Sequence, residues 1–272
     1  MSSSSSSIAD RLCRADKVLL GGGVALLGGT ALFGAGLLGI GVPASVLGLL
    51  ITDGVFRASS STFYPTISSG PRDKPRVALT FDDGPDPQVT PFLLDSLATA
   101  GARATFFTIG RNLARHTGIA ERTLREGHEL GNHSWQHDRM QNFYGTRAQA
   151  ADIDRSVQLI RQVSRSDVLP FYRPPIGLKS PSLARAAHER GLQVIAWSLH
   201  SRDTVMRDAG RIAERVLRRV KAGDIVLMHD GHDRDGHHRV ATASALTLIL
   251  DGLAKRGLQS VTVSELLGQT PG

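Results

Sequence analysis

Cysteine is almost absent, because Cys13 is the only one in 272 residues. A single thiol forms no internal disulfide and cannot supply a cysteine-based zinc site. The rest of the chain, without cysteine, is compatible with either side of a membrane.

Aromatic residues and blocks of basic residues are also scarce. Aromatics make up 5% of the chain, and its 32 lysines and arginines, which give a formal net charge of +7, are dispersed. Proteins that bind nucleic acids usually combine concentrated positive charge with stacking aromatics. We therefore expect no nucleic-acid partner, whereas an anionic membrane or cell wall suits a basic surface.

Charge is missing altogether from residues 18–52. This apolar segment exceeds the 7–15 residues of a signal-peptide core, and as one helix it would be about 50 Å long, against a hydrocarbon core of roughly 30 Å. Two arrangements compete: one span followed by an interfacial piece after Pro43, or two short spans that turn within residues 39–43. A cleaved signal is the least favoured reading, because no Ala-x-Ala site is suitably placed. We expect a membrane segment here.

The flanks of the apolar segment suggest an orientation. Residues 1–17 are serine-rich and end with Arg11, Arg14 and Lys17, which predicts a disordered basic tail. Lysine and arginine stay on the cytoplasmic side, so one crossing places the following chain on the periplasmic or extracellular side, and this is the location that we predict. A hairpin would instead return the chain to the cytoplasm. Residues 53–75 lack periodicity and are predicted to be a linker.

From residue 76 onwards, apolar runs typical of strands alternate with amphipathic helical segments. The predicted strands are residues 77–81, 104–109, 128–132, 171–173, 193–199, 224–229 and 258–263. The predicted helices are residues 89–100, 113–125, 147–163, 183–190, 209–220 and 242–255. This alternation over residues 76–267 predicts a parallel α/β barrel or a doubly wound sheet.

Asp82 and Asp83 end the first predicted strand of this domain and precede a Gly-Pro break. The carboxyl ends of strands are where α/β folds place their chemistry. Neighbouring side chains of a strand point to opposite faces, so both carboxylates can face one cavity only where the backbone turns. A plain turn cap is the alternative for this pair.

His133 and His137 follow another predicted strand and are four residues apart. On one helical turn they would share a face, as in two-histidine zinc helices. With Asp83 they would form a His₂Asp set, which leaves positions open for water and substrate. Such a pair is also common on a solvated helix, so alone it does not establish a metal site.

Polar residues follow three more apolar runs. Arg173 precedes two prolines and could pair with a carboxylate. Trp197 is the first residue of a polar segment over residues 197–203. His229 ends an apolar strand and is a candidate general acid. A surface arginine beside a rigid turn and a buried structural histidine are the alternatives.

In this order, the motifs resemble those of the NodB-homology polysaccharide deacetylases, carbohydrate esterase family 4, over about residues 74–267. Residues 80–85 resemble the family motif T-F-D-D-G-P, and residues 133–137 resemble H-S/T-x-x-H. Residues 173–177 are similar to R-x-P-x-G, and residues 225–229 are similar to L-x-L-x-H with isoleucine first. The resemblance implies a distorted (β/α) barrel, which follows the N-terminal transmembrane segment predicted above from the uncharged run.

The resemblance also implies a metal-dependent deacetylase that acts on N-acetylhexosamine units of an envelope polysaccharide, peptidoglycan or lipid-linked glycan. The implied metal is divalent, most often zinc, and its ligands would be Asp83, His133 and His137. The implied catalytic residues are Asp82 as base, Arg173 orienting that base, His229 as acid, and Asp203 tuning that acid. The implied oxyanion and substrate contacts are Pro175, Ile176, Trp197 and Leu227.

Two positions depart from the family pattern D-x-x-D-W: His200 replaces its first aspartate, and Thr204 replaces its tryptophan. Loss of that tryptophan removes one wall of the sugar groove and leaves the substrate open. The alternatives are a same-fold hydrolase of a non-sugar amide or an O-acetyl ester, or a catalytically silent glycan-binding protein. Residues 231–239 contain His232, His237 and His238 and are expected to form a polar loop by the cavity mouth.

Overall fold

Strand β2 (Arg76–Asp82) is the central strand of the sheet in a computed structural model, which describes residues 12–166, 171–234 and 239–269. It pairs in parallel with β3 (Ala104–Thr108) on one side and with β7 (Ile225–His229) on the other. Beyond β3 the sheet continues to β4 (Glu129–Asn132), and beyond β7 it continues to β6 (Leu199–His200). Strand β8 (Gln259–Ser260) pairs with the start of β2.

A second pair of short parallel strands, β1 (Thr66–Ile67) and β5 (Val194–Ile195), extends the sheet into a curve. Tyr172 bridges Asn132 on one side and Val194 on the other, and Ser69 bridges back to Asp224. The pairing therefore returns towards β7, as in a distorted barrel, and the predicted parallel α/β architecture is confirmed.

Alternation along β2 divides its side chains between two environments. Val77, Leu79 and Phe81 pack into the core under the helices, whereas Ala78 lies in a separate cluster with Phe107 inside the curve of the sheet. Both faces are buried, as expected for a parallel sheet covered by helices. The helices of this domain are α3 (Thr90–Thr99), α4 (Gly110–Arg115), α5 (Thr117–Arg125), α6 (Thr146–Ser164), α7 (Pro181–Glu189), α8 (Ala209–Leu217), α9 (Val240–Lys255) and α10 (Val263–Leu267).

Four predicted elements differ from the observed ones. The predicted helix over residues 113–125 is two helices, because His116 has φ −132° and ψ 42°, which no helix accommodates. The strand over residues 193–199 is divided into β5 and β6, and the strand over 171–173 is reduced to the bridge at Tyr172. The predicted strand over residues 258–263 is shortened to β8, and its last residue begins α10, because Thr262 and Glu265 form a capping box there.

The apolar segment folds as a helical hairpin. Helix α1 (Arg14–Phe33) reverses at residues 34–36, and a π-helical turn (Leu37–Gly41) leads directly into α2 (Val42–Phe56). The turn comes earlier than the predicted residues 39–43, and Pro43 instead lies in the first turn of α2, where proline needs no hydrogen-bond partner. Each arm is long and apolar enough to cross a membrane.

The segments that flank the hairpin differ from the predicted disordered tail and linker. Residues 14–17 belong to α1, and the rest of the described tail is limited to residues 12 and 13, since residues 1–11 lie outside the described ranges. In the predicted linker, Phe63 is fully buried and the Tyr64 hydroxyl donates to the Leu192 carbonyl at 2.7 Å. Residues 60–67 therefore pack on the domain, because apolar side chains here contribute to its core.

Candidate active site

Asp82 is the last residue of β2, in register with His229 of β7 and Phe107 of β3. The carboxyl ends of these parallel strands thus meet at one edge of the sheet. Asp83 follows with φ 78°, a left-handed conformation that is uncommon outside glycine, and the Asn112 side chain donates to its carbonyl at 2.7 Å. This turn of the backbone brings both carboxylates to one cavity, so the alternative of a plain turn cap is wrong.

Arg173 is completely buried beside Asp82. Its Nη1 donates to Asp82 Oδ1 at 2.6 Å and to the Thr80 hydroxyl at 2.9 Å, while Nε and Nη2 donate to the carbonyls of Ile195 and Ala196. Burial lowers the pKa of the Arg173 guanidinium, and the Asp82 carboxylate opposes that effect. The pair fixes one oxygen of Asp82 and leaves Oδ2 directed towards His133, whose Nε2 is 3.6 Å away.

Asp83, His133 and His137 converge as a buried group that could hold a metal ion. Asp83 Oδ1 lies 3.5 Å from Nε2 of each histidine and has no hydrogen-bond partner within the described residues. Two atoms bound at about 2.1 Å to a tetrahedral metal lie about 3.4 Å apart, so these spacings fit such an ion. An unpaired buried carboxylate oxygen is costly without a cation or donor, which supports the same conclusion.

The protonation of His133 also suits a ligand. Its Nδ1 lies 2.7 Å from the Arg173 carbonyl, an acceptor, so Nδ1 carries the proton and the Nε2 lone pair faces Asp83. Burial lowers the pKa of His133, against the opposing effect of the nearby carboxylates, and this favours the neutral imidazole that metals bind.

The two histidines do not lie on a helix, contrary to the proposed helical turn. Residues 133–137 form a loop in which Ser134 has φ 67° and His137 has φ 54°. The Ser134 N–H donates to the Asn132 side chain, and the His137 N–H donates to the Ser134 hydroxyl. These local bonds replace helical ones and direct both imidazoles to the same point.

His229 and Asp203 form the second charged pair of the site. His229 Nδ1 donates to Asp203 Oδ1 at 2.9 Å, and Asp203 Oδ2 accepts from the His229 backbone N–H and from Thr242. Burial disfavours the imidazolium, but the Asp203 carboxylate outweighs it and raises the pKa of His229 to about 9. Burial would raise the pKa of Asp203, but His229 and the hydroxyl donors lower it to about 2.

A cavity of about 440 Å³ opens over both groups. Ile176, Trp197 and Leu227 line it together with the carboxylates and histidines, whereas Pro175 is buried and lies outside the lining. Ile176 has φ 50° and a half-exposed side chain. Of the sequence-predicted substrate contacts, three are therefore at the cavity and Pro175 supports the turn before it.

His200, a departure from the family pattern, also lines this cavity. Its ring centroid lies 6.1 Å from that of His229, and its Nδ1 accepts the Arg202 backbone N–H at 2.9 Å. Burial and then the charge of His229 lower the pKa of His200, so it is neutral and presents an Nε2–H donor. The sequence identified this position only as a lost aspartate.

Two acidic residues near the site were missed by the sequence analysis. Asp230 is buried behind the Asp83 turn, where it accepts the Gly84 N–H at 3.1 Å and the Thr90 hydroxyl at 2.6 Å. Asp233 Oδ2 lies 3.8 Å from His137 Nδ1. The only signal for Asp230 in the sequence was its position directly after the strand that ends at His229, and Asp233 had none. In the same loop, His237 and His238 lie outside the described residues.

Comparisons with known proteins agree with this geometry. Residues 69–195 match the profile of the polysaccharide deacetylase family. The chain is 39% identical over 199 residues to a peptidoglycan-N-acetylglucosamine deacetylase of Bacillus cereus, covering 72% of this chain and 90% of that one. It is 35% identical over 214 residues to the same-named enzyme PgdA of Listeria monocytogenes, covering 77% of this chain and 42% of that one.

A solved structure is also similar. The crystal structure of the Bc1960 peptidoglycan N-acetylglucosamine deacetylase matches with a TM-score of 0.70 and 29% identity, covering 76% of this chain and 94% of that chain. The carboxylate pair, the two histidines of the loop and the strand-end His229 therefore lie within a fold shared with enzymes of known class. The chain belongs to the NodB-homology polysaccharide deacetylases, carbohydrate esterase family 4, and is a hydrolase of non-peptide carbon–nitrogen bonds.

Proposed function

We propose that this protein is a metal-dependent N-deacetylase that removes acetyl groups from N-acetylhexosamine units of an envelope glycan. The observation that carries the proposal is the division of the adjacent carboxylates. Asp82 is paired with buried Arg173, whereas Asp83 Oδ1 has no hydrogen-bond partner within the described residues and lies 3.5 Å from two imidazole nitrogens. Two adjacent carboxylates can take different roles, one as base and one as metal ligand, when their environments differ in this way.

Asp83, His133 and His137 would hold the metal, for which zinc suits the two imidazoles and one carboxylate. When bound, such an ion polarises the acetamide carbonyl and lowers the pKa of water. Asp82 is proposed to accept the proton of the attacking water, because Arg173 holds its carboxylate in place beside the cavity.

His229 is proposed to deliver the second proton, to the nitrogen of the leaving amine. It faces Asp82 across the strand register and is charged at neutral pH because of Asp203. The backbone N–H of Ile176, at the cavity wall, is the proposed oxyanion donor, and Trp197 and Leu227 are proposed to contact the sugar.

The apolar hairpin is proposed to anchor the enzyme in the cytoplasmic membrane. The prediction of an external catalytic domain assumed a single crossing. Two arms of spanning length favour two crossings, which return the chain to the side of Arg14 and Lys17.

The proposal is tested with Asp82→Asn and His229→Gln in the purified full-length chain, with acetate release from N-acetylglucosamine oligosaccharides as the readout. We expect each variant to lose at least about a hundredfold in rate while still unfolding cooperatively in urea, at a lower midpoint because each substitution breaks a buried charge pair. The exposed Asp251→Asn serves as the control for loss of a carboxylate. Full activity in both site variants would refute the assigned roles. Faster acetate release from acetylxylan than from the oligosaccharide would favour an O-acetyl ester as substrate.

A further inference from the structure

Both ends of the hairpin rest on the catalytic domain. At the start of α1, Cys13 and Ala15 are buried in a cluster with residues of α7, and Asp16 Oδ1 accepts from Arg185 of that helix at 2.5 Å. A chain that crossed the membrane once would separate the start of α1 from the domain by the thickness of the bilayer. These contacts therefore require that the chain enters and leaves the hairpin at the same side.

The end of α2 is held by one buried lysine. Lys179 is 2% exposed, and its Nζ donates to the carbonyls of Arg57, Ala58 and Ser60 at 3.2, 2.5 and 2.8 Å. Its backbone N–H also donates to the carbonyl of Val55, inside the last turn of α2. Three carbonyls around one ammonium fix the exit of the hairpin to the loop that follows Ile176.

That loop is also a wall of the catalytic cavity. Ile176 and Gly177 line the cavity, and a Cβ at Gly177 would lie 2.8 Å from the Ala58 Cβ. Because Gly177 directly contacts a residue just beyond α2, the wall lies within about 10 Å of the end of the hairpin. The headgroup layer of a bilayer is about 5–8 Å thick on each side, so this distance places the wall in the headgroup layer or directly beyond it.

The outer surface of the two hairpin helices, α1 and α2, is apolar. Ten large side chains are each more than half exposed: Leu20, Val24, Leu27, Leu32, Phe33, Leu37, Leu38, Val46, Leu49 and Phe56. Inside the hairpin, small residues allow close approach, since a Cβ at Gly29 would lie 2.5 Å from the Gly39 carbonyl oxygen. Each 20-residue arm measures about 30 Å, which matches the hydrocarbon core, so the occupant of this surface is a lipid bilayer.

We propose that the hairpin spans the bilayer twice and holds the catalytic cavity at its cytoplasmic surface, where the substrate is an N-acetylhexosamine glycan carried on a membrane lipid. The side follows from charge, because Arg14, Lys17 and Arg57 all lie at the open end of the hairpin and the turn at residues 34–36 has none. The substrate class follows from the position of the cavity wall. The substrate part of this inference rests on the proposed deacetylase function.

The topology is tested by labelling single cysteines with a membrane-impermeant maleimide in intact spheroplasts. In a Cys13→Ser background, we expect Ala35→Cys to be labelled from outside, and Ser2→Cys and Gln269→Cys to be labelled only after the membrane is opened. Labelling of Gln269→Cys in intact spheroplasts would overturn the inference. So would release of the chain from membranes by alkaline carbonate, which is expected if a second copy of the chain, rather than lipid, covers the hairpin.

The substrate is tested with the full chain in phospholipid vesicles. The rates of acetate release are compared for an N-acetylglucosamine oligosaccharide coupled to a lipid in those vesicles and for the same oligosaccharide in water. We expect at least a tenfold preference for the lipid-borne form.

Lys179→Met should reduce this preference, whereas Lys74→Met, which removes an exposed charge, should keep it. Equal rates on both forms would overturn the substrate assignment but leave the deacetylase proposal intact. Release from neither would refute the deacetylase itself.

Discussion

Replacement of Asp203 by asparagine tests how the site keeps His229, the proposed general acid, protonated. Asp203 accepts the His229 Nδ1–H at 2.9 Å and is the largest of the influences that raise the pKa of that imidazole from 6.5 to about 9 against the effect of burial. A difference of this size corresponds to about 3 kcal/mol in favour of the imidazolium. Asparagine keeps the shape and removes the charge, so the pKa of His229 should return to 6.5 or below.

The sign of the effect on activity follows directly. A general acid works only while protonated, so activity falls as the pH rises through the pKa of His229. At pH 8, about 90% of an acid with pKa 9 is protonated, against about 3% for one with pKa 6.5, a ratio of about thirty. At pH 6 the two differ by less than about 1.5-fold, so the deficit of Asp203→Asn should grow about twentyfold between pH 6 and pH 8.

The assay is acetate release by the full-length, metal-loaded chain between pH 5.5 and pH 9.5. A cation held by Asp83 offsets part of that carboxylate's effect on His229, so the alkaline limb of the wild type should lie at or below pH 9. Asp251→Asn, which removes an exposed carboxylate elsewhere, should leave this limb in place. A variant whose rate is reduced by the same factor at every pH would refute the reasoning, since Asp203 would then only orient the ring.

Three further predictions concern the surrounding residues. Arg173→Met should lower the free energy of unfolding by about 3–5 kcal/mol in urea, because it leaves a buried carboxylate unpaired, and an unchanged midpoint would contradict this. His137→Ala should weaken zinc binding by roughly a hundredfold or more in calorimetry, whereas the exposed His188→Ala should bind as tightly as the wild type; equal affinities would exclude the proposed ligand. Asp230→Ala should cost about 1–3 kcal/mol of stability and Asp230→Asn less, because only asparagine keeps an acceptor for the buried N–H; equal costs would show that the hydrogen bond is not what matters.

The sequence identified residues that the structure brings together at one cavity, because they lie in short motifs at the ends of predictable strands. Residues 77–81 form an apolar run interrupted only by Thr80, a residue that also favours strands, so the sequence alone placed Asp82 and Asp83 at the end of a strand. The two histidines at 133 and 137 could be paired with Asp83 without knowing the path between them. The loop that carries these histidines could not be predicted, because two residues in left-handed conformations take the place of the expected helical turn.

For the apolar segment, by contrast, the sequence could not decide how the chain is arranged. Its composition predicted a membrane segment but left one crossing and two crossings equally compatible with residues 18–52. Where the hairpin turns, and what its ends contact, depend on glycine approaches and on pairs such as Asp16 with Arg185, which are far apart in the chain.

What the sequence by itself determined is therefore the family, the strand-end carboxylates and the ligand types, because each depends on residues close together in the chain. The tertiary structure alone decided how the two carboxylates divide their roles. The left-handed turn at Asp83 directs it to the histidines, while Arg173, from a distant strand end, holds Asp82. It also decided that Lys179 joins the hairpin to the cavity wall, since contacts over such separations along the chain form only when the strands and helices have packed.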